Sequence, residues 1–254
     1  MSSAYDIVAF RNLIGPIRCE DNPVLVKQKS RDFYWYSPVL KRELEAVTAD
    51  IVVSPVSEAE VAAVLKAAHR LRIPVTARGG GTGNYGQAMP LTGGVLLNLA
   101  EMSRVLSIET GRVVCEPGAL LGDIDKAAAP SGQELRMFPS TRATATVAGF
   151  VAGGSGGVGS ITWGGLRDFG NVLRLRVLTM EAEPRPGAHG PGPAQGGACL
   201  WDQWHNHRGR DAADRDIRLG RGDNRLRRLR RRRSLWARAR RTGRDLEEAP
   251  SRRS

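Results

Sequence analysis

Cysteine, histidine, aromatic residues and long apolar runs are all scarce in this chain of 254 residues. Three cysteines, Cys19, Cys115 and Cys199, have no paired spacing, which argues against a disulfide framework or a thiolate metal site and fits a reducing cytoplasm. Cys115 lies in an apolar stretch and reads as core. Four histidines, His69, His189, His205 and His207, give no ligand spacing in the first two thirds of the chain, so no metal is expected. No run approaches the roughly 18 apolar residues that span a bilayer, and no signal-peptide pattern opens the chain, so no transmembrane segment is expected. Aromatics make up 6% of residues, yet Phe33, Tyr34, Trp35 and Tyr36 stand in a row. Core or domain-interface packing is the favoured reading of that run, ahead of stacking on a cofactor.

Lysine is also absent, but only from residue 184 onward. The net charge is +12 and the pI about 10.5, values that suggest a nucleic-acid partner. The distribution argues otherwise. Residues 1–183 carry 19 Lys and Arg against 18 Asp and Glu, whereas residues 184–254 carry 19 Arg against 8 acids. The basic character belongs to the tail alone. Few aliphatics and no sustained period accompany it, so it is expected to be disordered. No evolved nucleic-acid partner is expected, although a basic run can adhere to polyanions by charge.

What is plentiful is glycine, 30 residues, concentrated in two loops. The first reads Ala77-Arg78-Gly79-Gly80-Gly81-Thr82-Gly83-Asn84-Tyr85-Gly86-Gln87. Such a loop exposes consecutive backbone N–H groups, which form a concave anion site suited to phosphate or pyrophosphate. A flexible surface linker is the plainer alternative. Arg78 could offset a pyrophosphate by bidentate contact or form a surface salt bridge. The flanks favour a built site. Residues 50–57 read as a short strand and turn, Ser57 and Glu60 as a capping box, and residues 58–71 as an amphipathic helix. Residues 75–77 read as a second strand that runs into the loop. Further strands are expected at 95–99, 105–108 and 112–116, and a helix at 120–129.

The second glycine-rich segment covers residues 146–160, preceded by Pro139, Ser140, Thr141 and Thr144 and followed by Trp163, Gly164 and Gly165. Two such loops could embrace an extended diphosphate from two sides. Neither is a Walker loop, and neither has the G-x-G-x-x-G spacing and distant acid of a dinucleotide-binding βαβ unit.

Residues 29–183 resemble the FAD-binding domain of the FAD-linked oxidase family, which includes vanillyl-alcohol oxidase, p-cresol methylhydroxylase, glycolate oxidases and D-lactate dehydrogenases. Three places carry the likeness: residues 74–83, the segment from Val114 to Glu116-Pro117-Gly118, and residues 146–177. The resemblance implies an α+β, two-lobed FAD-binding domain of the p-cresol methylhydroxylase type, here residues 46–183. An N-terminal segment (1–45) precedes it and the basic tail (184–254) follows. It implies that Arg78, Gly79, Gly80, Gly81, Thr82 and Gly83 hold the pyrophosphate. Pro139, Ser140, Thr141, Thr146, Gly149, Gly153, Gly156 and Ser160 are then implied to contact pyrophosphate, ribityl and flavin. Relatives that attach flavin covalently from the first loop use a histidine where Thr82 stands, so non-covalent FAD is expected. The activity implied is an FAD-dependent oxidoreductase with a small-molecule substrate, a 2-hydroxy acid by analogy, and an electron acceptor. No catalytic residue is assigned.

The tail carries one more sequence signal. Lysine-free arginine runs are typical of a GC-rich gene read out of frame. Tryptophan has a single codon, so a one-base shift must turn Trp201 before Asp202, and Trp204 before His205, into glycine. Residues 198–209 can then read His-Ala-Tyr-Gly-Thr-Asn-Gly-Thr-Ile-Thr-Glu, and the family carries a Gly-Thr-x-Gly-x-Ile-Thr-Glu segment next in its flavin domain. The same shift permits Ala-Phe-Asp-Asp-Phe-Asp-Asp in place of residues 225–231. A frameshift between about residues 183 and 198 is the leading expectation for the tail. A catalytically inactive flavin-binding fragment is the alternative function, and a basic nucleic-acid-binding protein acting through residues 184–254 a more distant one.

Overall fold

The computed structural model describes residues 4–154, 156–166, 168, 170–181 and 183 in full, and the backbone of residues 186–189, 216–217 and 219–221. The chain begins with α1 (Ile7–Ile14), β1 (Cys19–Glu20), α2 (Pro23–Lys29) and α3 (Pro38–Leu44). Next come β2 (Ile51–Val53), α4 (Glu58–Leu71), β3 (Val75–Arg78) and β4 (Val95–Asn98). A second group follows: β5 (Val105–Glu109), β6 (Arg112–Cys115), α5 (Leu121–Ala128), β7 (Gln133–Leu135), α6 (Val147–Gly153) and α7 (Ser160–Trp163). After β8 (Leu175–Leu178), the tail contributes β9 (Pro186–His189), β10 (Asp216–Ile217) and β11 (Leu219–Arg221).

The first lobe is built on a sheet of order β1-β2-β4-β3, in which β2, β4 and β3 run parallel and β1 pairs antiparallel with β2. Parallel strands need a crossover, and α4 supplies it between β2 and β3. Both faces of this sheet are buried, as its runs Ile51-Val52-Val53 and Val95-Leu96-Leu97 require. Ile51, Val53, Val95 and Leu97 share a core with Phe10 and Ile14 of α1 and Val61, Val64 and Leu65 of α4. Val52 and Leu96 face the other way, onto Val26 of α2.

Helix α4 occupies the residues its apolar spacing predicts. Ser57 caps it by accepting the Glu60 N–H at 3.3 Å. The Glu60 carboxylate reaches back one residue further than a capping box requires, taking the Val56 N–H at 2.8 Å. Arg72 ends the helix in the left-handed region, φ 55°, where glycine is the usual occupant. Pro74, two residues further on, bars continuation of the helix.

The second lobe packs the antiparallel pair β5–β6, α5, β7 and α6 around Val113, Cys115, Leu121, Ile124, Leu135 and Phe150. Cys115 is buried there. Strand β8 then returns to the first lobe, where Leu178 joins the core. Its Arg176 guanidinium donates to both carboxylate oxygens of Glu58 on α4, at 2.6 and 2.7 Å. Two cores in one α+β chain give the two-lobed architecture.

Where the sequence reading put no structure, three short tail segments are strands. β9 pairs with β8, β10 with β6 and β11 with β7, all antiparallel. The rest of residues 184–254 lie outside the described residues, and with them the expectation of disorder.

The aromatic run divides. Tyr34 is fully buried and its hydroxyl donates to Glu45 at 3.0 Å. Phe33, Trp35 and Tyr36 are exposed, and the Trp35 and Tyr36 rings stack on each other with centroids 4.1 Å apart. Core packing therefore holds for one residue of the four. Sequence adjacency could not say which, because a single 3₁₀ turn spanning Tyr34–Tyr36 sends the Tyr34 ring into the core and leaves the next two rings stacked outside it.

Candidate functional site

Strands β2, β3 and β4 end at the same edge of the first lobe, the carboxyl end of a parallel sheet, where ligands bind in open α/β sheets. The first glycine loop leaves from the end of β3. Among the described residues, the backbone N–H groups of Gly79, Gly80, Gly81, Thr82 and Gly83 donate to no protein acceptor. The loop is half-buried, so these donors are neither satisfied by the fold nor lost inside it.

Glycine is required here for reasons the geometry makes specific. A Cβ on Gly79 would stand 2.0 Å from Thr146 Oγ1, and one on Gly80 would stand 2.1 Å from the Thr144 carbonyl oxygen. The first loop thus lies directly against the entry to α6. Gly81 has φ +63°, and the space a Cβ would take there is filled by the Arg78 guanidinium, 2.1 Å away at Nη2. Arg78 folds back over its own loop and donates through Nη1 to the Arg31 carbonyl at 2.5 Å. Burial draws the Arg78 guanidinium below its usual pKa, and the nearby Asp32 charge opposes that shift.

Thr146 is the N-cap of α6 and accepts the Gly149 N–H at 3.2 Å. Gly149 and Gly153 are exposed and four residues apart, so they form a smooth strip along one face of the helix. Pro139, Ser140 and Thr141 form the turn leading into this entry: the Arg142 N–H donates to Pro139 O and the Thr144 N–H to Thr141 O. Gly156 and Ser160 belong to a separate turn. The Ser160 hydroxyl sits 2.7 Å from both the N–H and the carbonyl of Gly157, so it closes its own loop. That turn packs on residues 136–139, where the Phe138 and Val158 backbones bond each other. Of the fourteen sequence-derived residues, the structure brings Arg78, Gly79, Gly80, Gly81, Thr146 and Gly149 into one cluster. Thr82 and Gly83 continue the loop toward residues 32–33, where the Gly83 carbonyl accepts the Phe33 N–H at 2.8 Å.

Asp32 was not singled out from the sequence. It is 4% exposed and lies beside the first loop. Its Oδ1 accepts the Tyr34 N–H at 2.9 Å, while Oδ2 is buried with no hydrogen-bond partner. The only sequence hint was a lone carboxylate directly ahead of the aromatic run.

Five free N–H groups in a tight turn, with a guanidinium alongside, are the donors a diphosphate needs. The profile of the FAD binding domain family matches residues 49–184, more than half of the chain. This chain belongs to that family. Its cofactor is FAD. The chain is 36% identical over 135 residues to the glycolate oxidase subunit GlcD of Escherichia coli, a stretch covering 52% of this chain and 27% of that protein. It is 37% identical over 133 residues to a D-lactate dehydrogenase of Archaeoglobus fulgidus, covering 52% and 28% respectively. The chain thus matches little more than a quarter of the length of these relatives. Among solved structures, an alkyldihydroxyacetonephosphate synthase aligns with a TM-score of 0.59 at 19% identity, over 71% of this chain and 37% of that one. This last likeness speaks for the fold alone. No helix among the described residues is long and apolar enough to cross a membrane.

Proposed function

We propose that this FAD-binding domain holds FAD non-covalently across its two glycine loops and serves an oxidoreductase that oxidises a small 2-hydroxy acid. The observation that carries the reading is the array of unpartnered N–H groups at residues 79–83, seated against Thr146 and backed by Arg78. These donors would take the pyrophosphate, and the exposed strip of Gly149 and Gly153 allows close approach by the rest of the cofactor. FAD, when bound, supplies the acceptor for a hydride from a substrate C–H bond, and the chain supplies binding and orientation. Thr82 stands in the loop where a covalent attachment would need a nucleophilic ring nitrogen, which supports a dissociable cofactor. The 2-hydroxy acid class is supported by the names of the relatives, a glycolate oxidase subunit and a D-lactate dehydrogenase.

The second reading, a flavin-binding fragment without turnover, is favoured by the tail, whose arginine runs and Trp201 and Trp204 codons are what a one-base shift before residue 198 would leave. The purified chain is expected to be yellow, with absorption at about 450 nm, and to release all its flavin on acid precipitation. Flavin that stays with the pellet would overturn non-covalent binding. Anaerobic bleaching by glycolate or D-lactate supports the enzyme, and a yellow protein that no 2-hydroxy acid bleaches supports the fragment. Re-sequencing the gene across codons 180–200 decides the tail: an inserted or missing base there is expected, and an intact frame overturns the shift.

A further inference from the structure

We propose that Asp32 is a positioning residue of the FAD site, its buried carboxylate holding Arg78 and the far arm of the first glycine loop in the shape that receives the pyrophosphate. This rests on the FAD reading above. It extends the site to a segment outside the matched residues 49–184.

Residues 31–34 brace the loop from three directions. The Arg31 carbonyl accepts Arg78 Nη1 at 2.5 Å. The Phe33 N–H donates to the Gly83 carbonyl at 2.8 Å. Asp32 itself keeps this segment turned by accepting the Tyr34 N–H at 2.9 Å. Its other oxygen, Oδ2, would stand 3.5 Å from a Cβ on Gly83, directly against the loop backbone. The Gly86 and Ala88 N–H groups face the carboxylate without closing a good hydrogen bond to Oδ2. The carboxylate therefore lies against the arm after the glycines, residues 83–88, while Arg78 before them is tied to the same segment through the Arg31 carbonyl and feels the Asp32 charge without a direct ion pair.

Burial raises the Asp32 carboxyl above its usual pKa, while the facing N–H groups and the Arg78 charge lower it less than burial raises it. The charged form thus weighs against the folded state, and an apolar or amide side chain would suit this position better if filling space were the only need. Such a group persists where it organises a site. The charged and titratable groups that face it are Arg78, from the end of β3, and Tyr34, from its own segment. Arg31 and Glu45 pair with each other next to it, at 2.6 Å.

The test uses the full chain as wild type, Asp32→Asn, Arg78→Met and the double variant, with FAD affinity read from quenching of free-flavin fluorescence. Asparagine has the shape of aspartate without its charge. Asp32→Asn is expected to bind FAD about tenfold more weakly while melting within a few degrees of wild type. In the Arg78→Met background the same change is expected to alter affinity by less than about twofold, because the positive charge that Asp32 faces is gone. Wild-type affinity falls as pH drops through the raised carboxyl pKa, and the Asp32→Asn protein shows no such fall. Equal affinities for wild type and Asp32→Asn, or an undiminished loss in the Arg78→Met background, overturn the proposal. Hydrogen exchange of residues 79–88 in the FAD-free chain gives a readout independent of the cofactor. Faster exchange in Asp32→Asn supports the positioning role, and identical exchange overturns it. A wild-type chain that binds no FAD overturns the FAD reading instead, and leaves the exchange result to decide whether Asp32 holds the loop.

Discussion

The two glycine loops have similar compositions and opposite hydrogen-bond states. In the first, the N–H groups of residues 79–83 are unpartnered among the described residues. In the second, the Gly157 N–H goes to Ser160 Oγ and the Val158 N–H to Phe138 O. Gly159, with φ +101°, stands where a Cβ would lie 2.0 Å from the Arg136 carbonyl. The first loop is an open set of donors. The turn at 156–160 is closed on itself and on the neighbouring segment 136–139. Glycine content alone cannot separate these roles. What separates them is where the backbone donors go.

Alanine substitutions in the two loops should break or sharpen that contrast. Gly80→Ala puts a methyl 2.1 Å from the Thr144 carbonyl, a backbone atom held by the entry to α6. The loops must part, so a loss of about 3 kcal/mol in stability is expected, together with FAD binding too weak to follow. Gly159→Ala should destabilise by a similar amount through its positive φ and the Arg136 carbonyl, yet leave the folded fraction with near-native affinity. Gly156→Ala, whose nearest neighbour is Ser160 Oγ at 3.4 Å, should fall within about 0.5 kcal/mol of wild type. Urea titrations and FAD titrations on the three variants make the comparison. A Gly159→Ala protein that folds but binds no FAD would place the second turn inside the donor set.

How much of this was legible depended on whether a residue's role was local. Helix α4 was readable to the residue because its cap, its apolar spacing and Pro74 all lie within the helix or beside it. The first loop's place after a strand was readable for the same reason. Gly79 and Gly80 were readable as important but for a different cause, since the atoms that exclude a side chain belong to Thr146 and Thr144, far along the chain. Ser160 was implied as a contact by the family resemblance, and its bonds to Gly157 are invisible without coordinates. Asp32 was missed because its significance lies wholly in tertiary contacts: an aspartate beside aromatics carries no pattern until the fold buries it.

Thr146 joins the two loops, so its variants should show an intermediate effect. Thr146→Ala removes the cap on the Gly149 N–H and the oxygen that lies against Gly79. A loss of about 1 kcal/mol is expected from the cap, with FAD affinity falling as the first loop loosens. Thr146→Ser retains the oxygen and should recover most of both. A serine variant as damaged as the alanine one would assign the role to the methyl group instead.

The smallest effect is expected at the tie between β8 and α4. Arg176 and Glu58 form a two-pronged ion pair at 2.6 and 2.7 Å, with side chains 23% and 33% exposed. Solvent screens such a pair, so Arg176→Met should lower stability by only about 0.5–1 kcal/mol, and the difference from wild type should shrink in high salt. FAD affinity should not change, because the pair holds the returning strand against the first lobe. An affinity loss in Arg176→Met larger than its stability loss would mean that the first lobe's sheet transmits the position of β8 to the donors at the end of β3. The contrast between the open loop and the closed one would then be a property of the whole lobe.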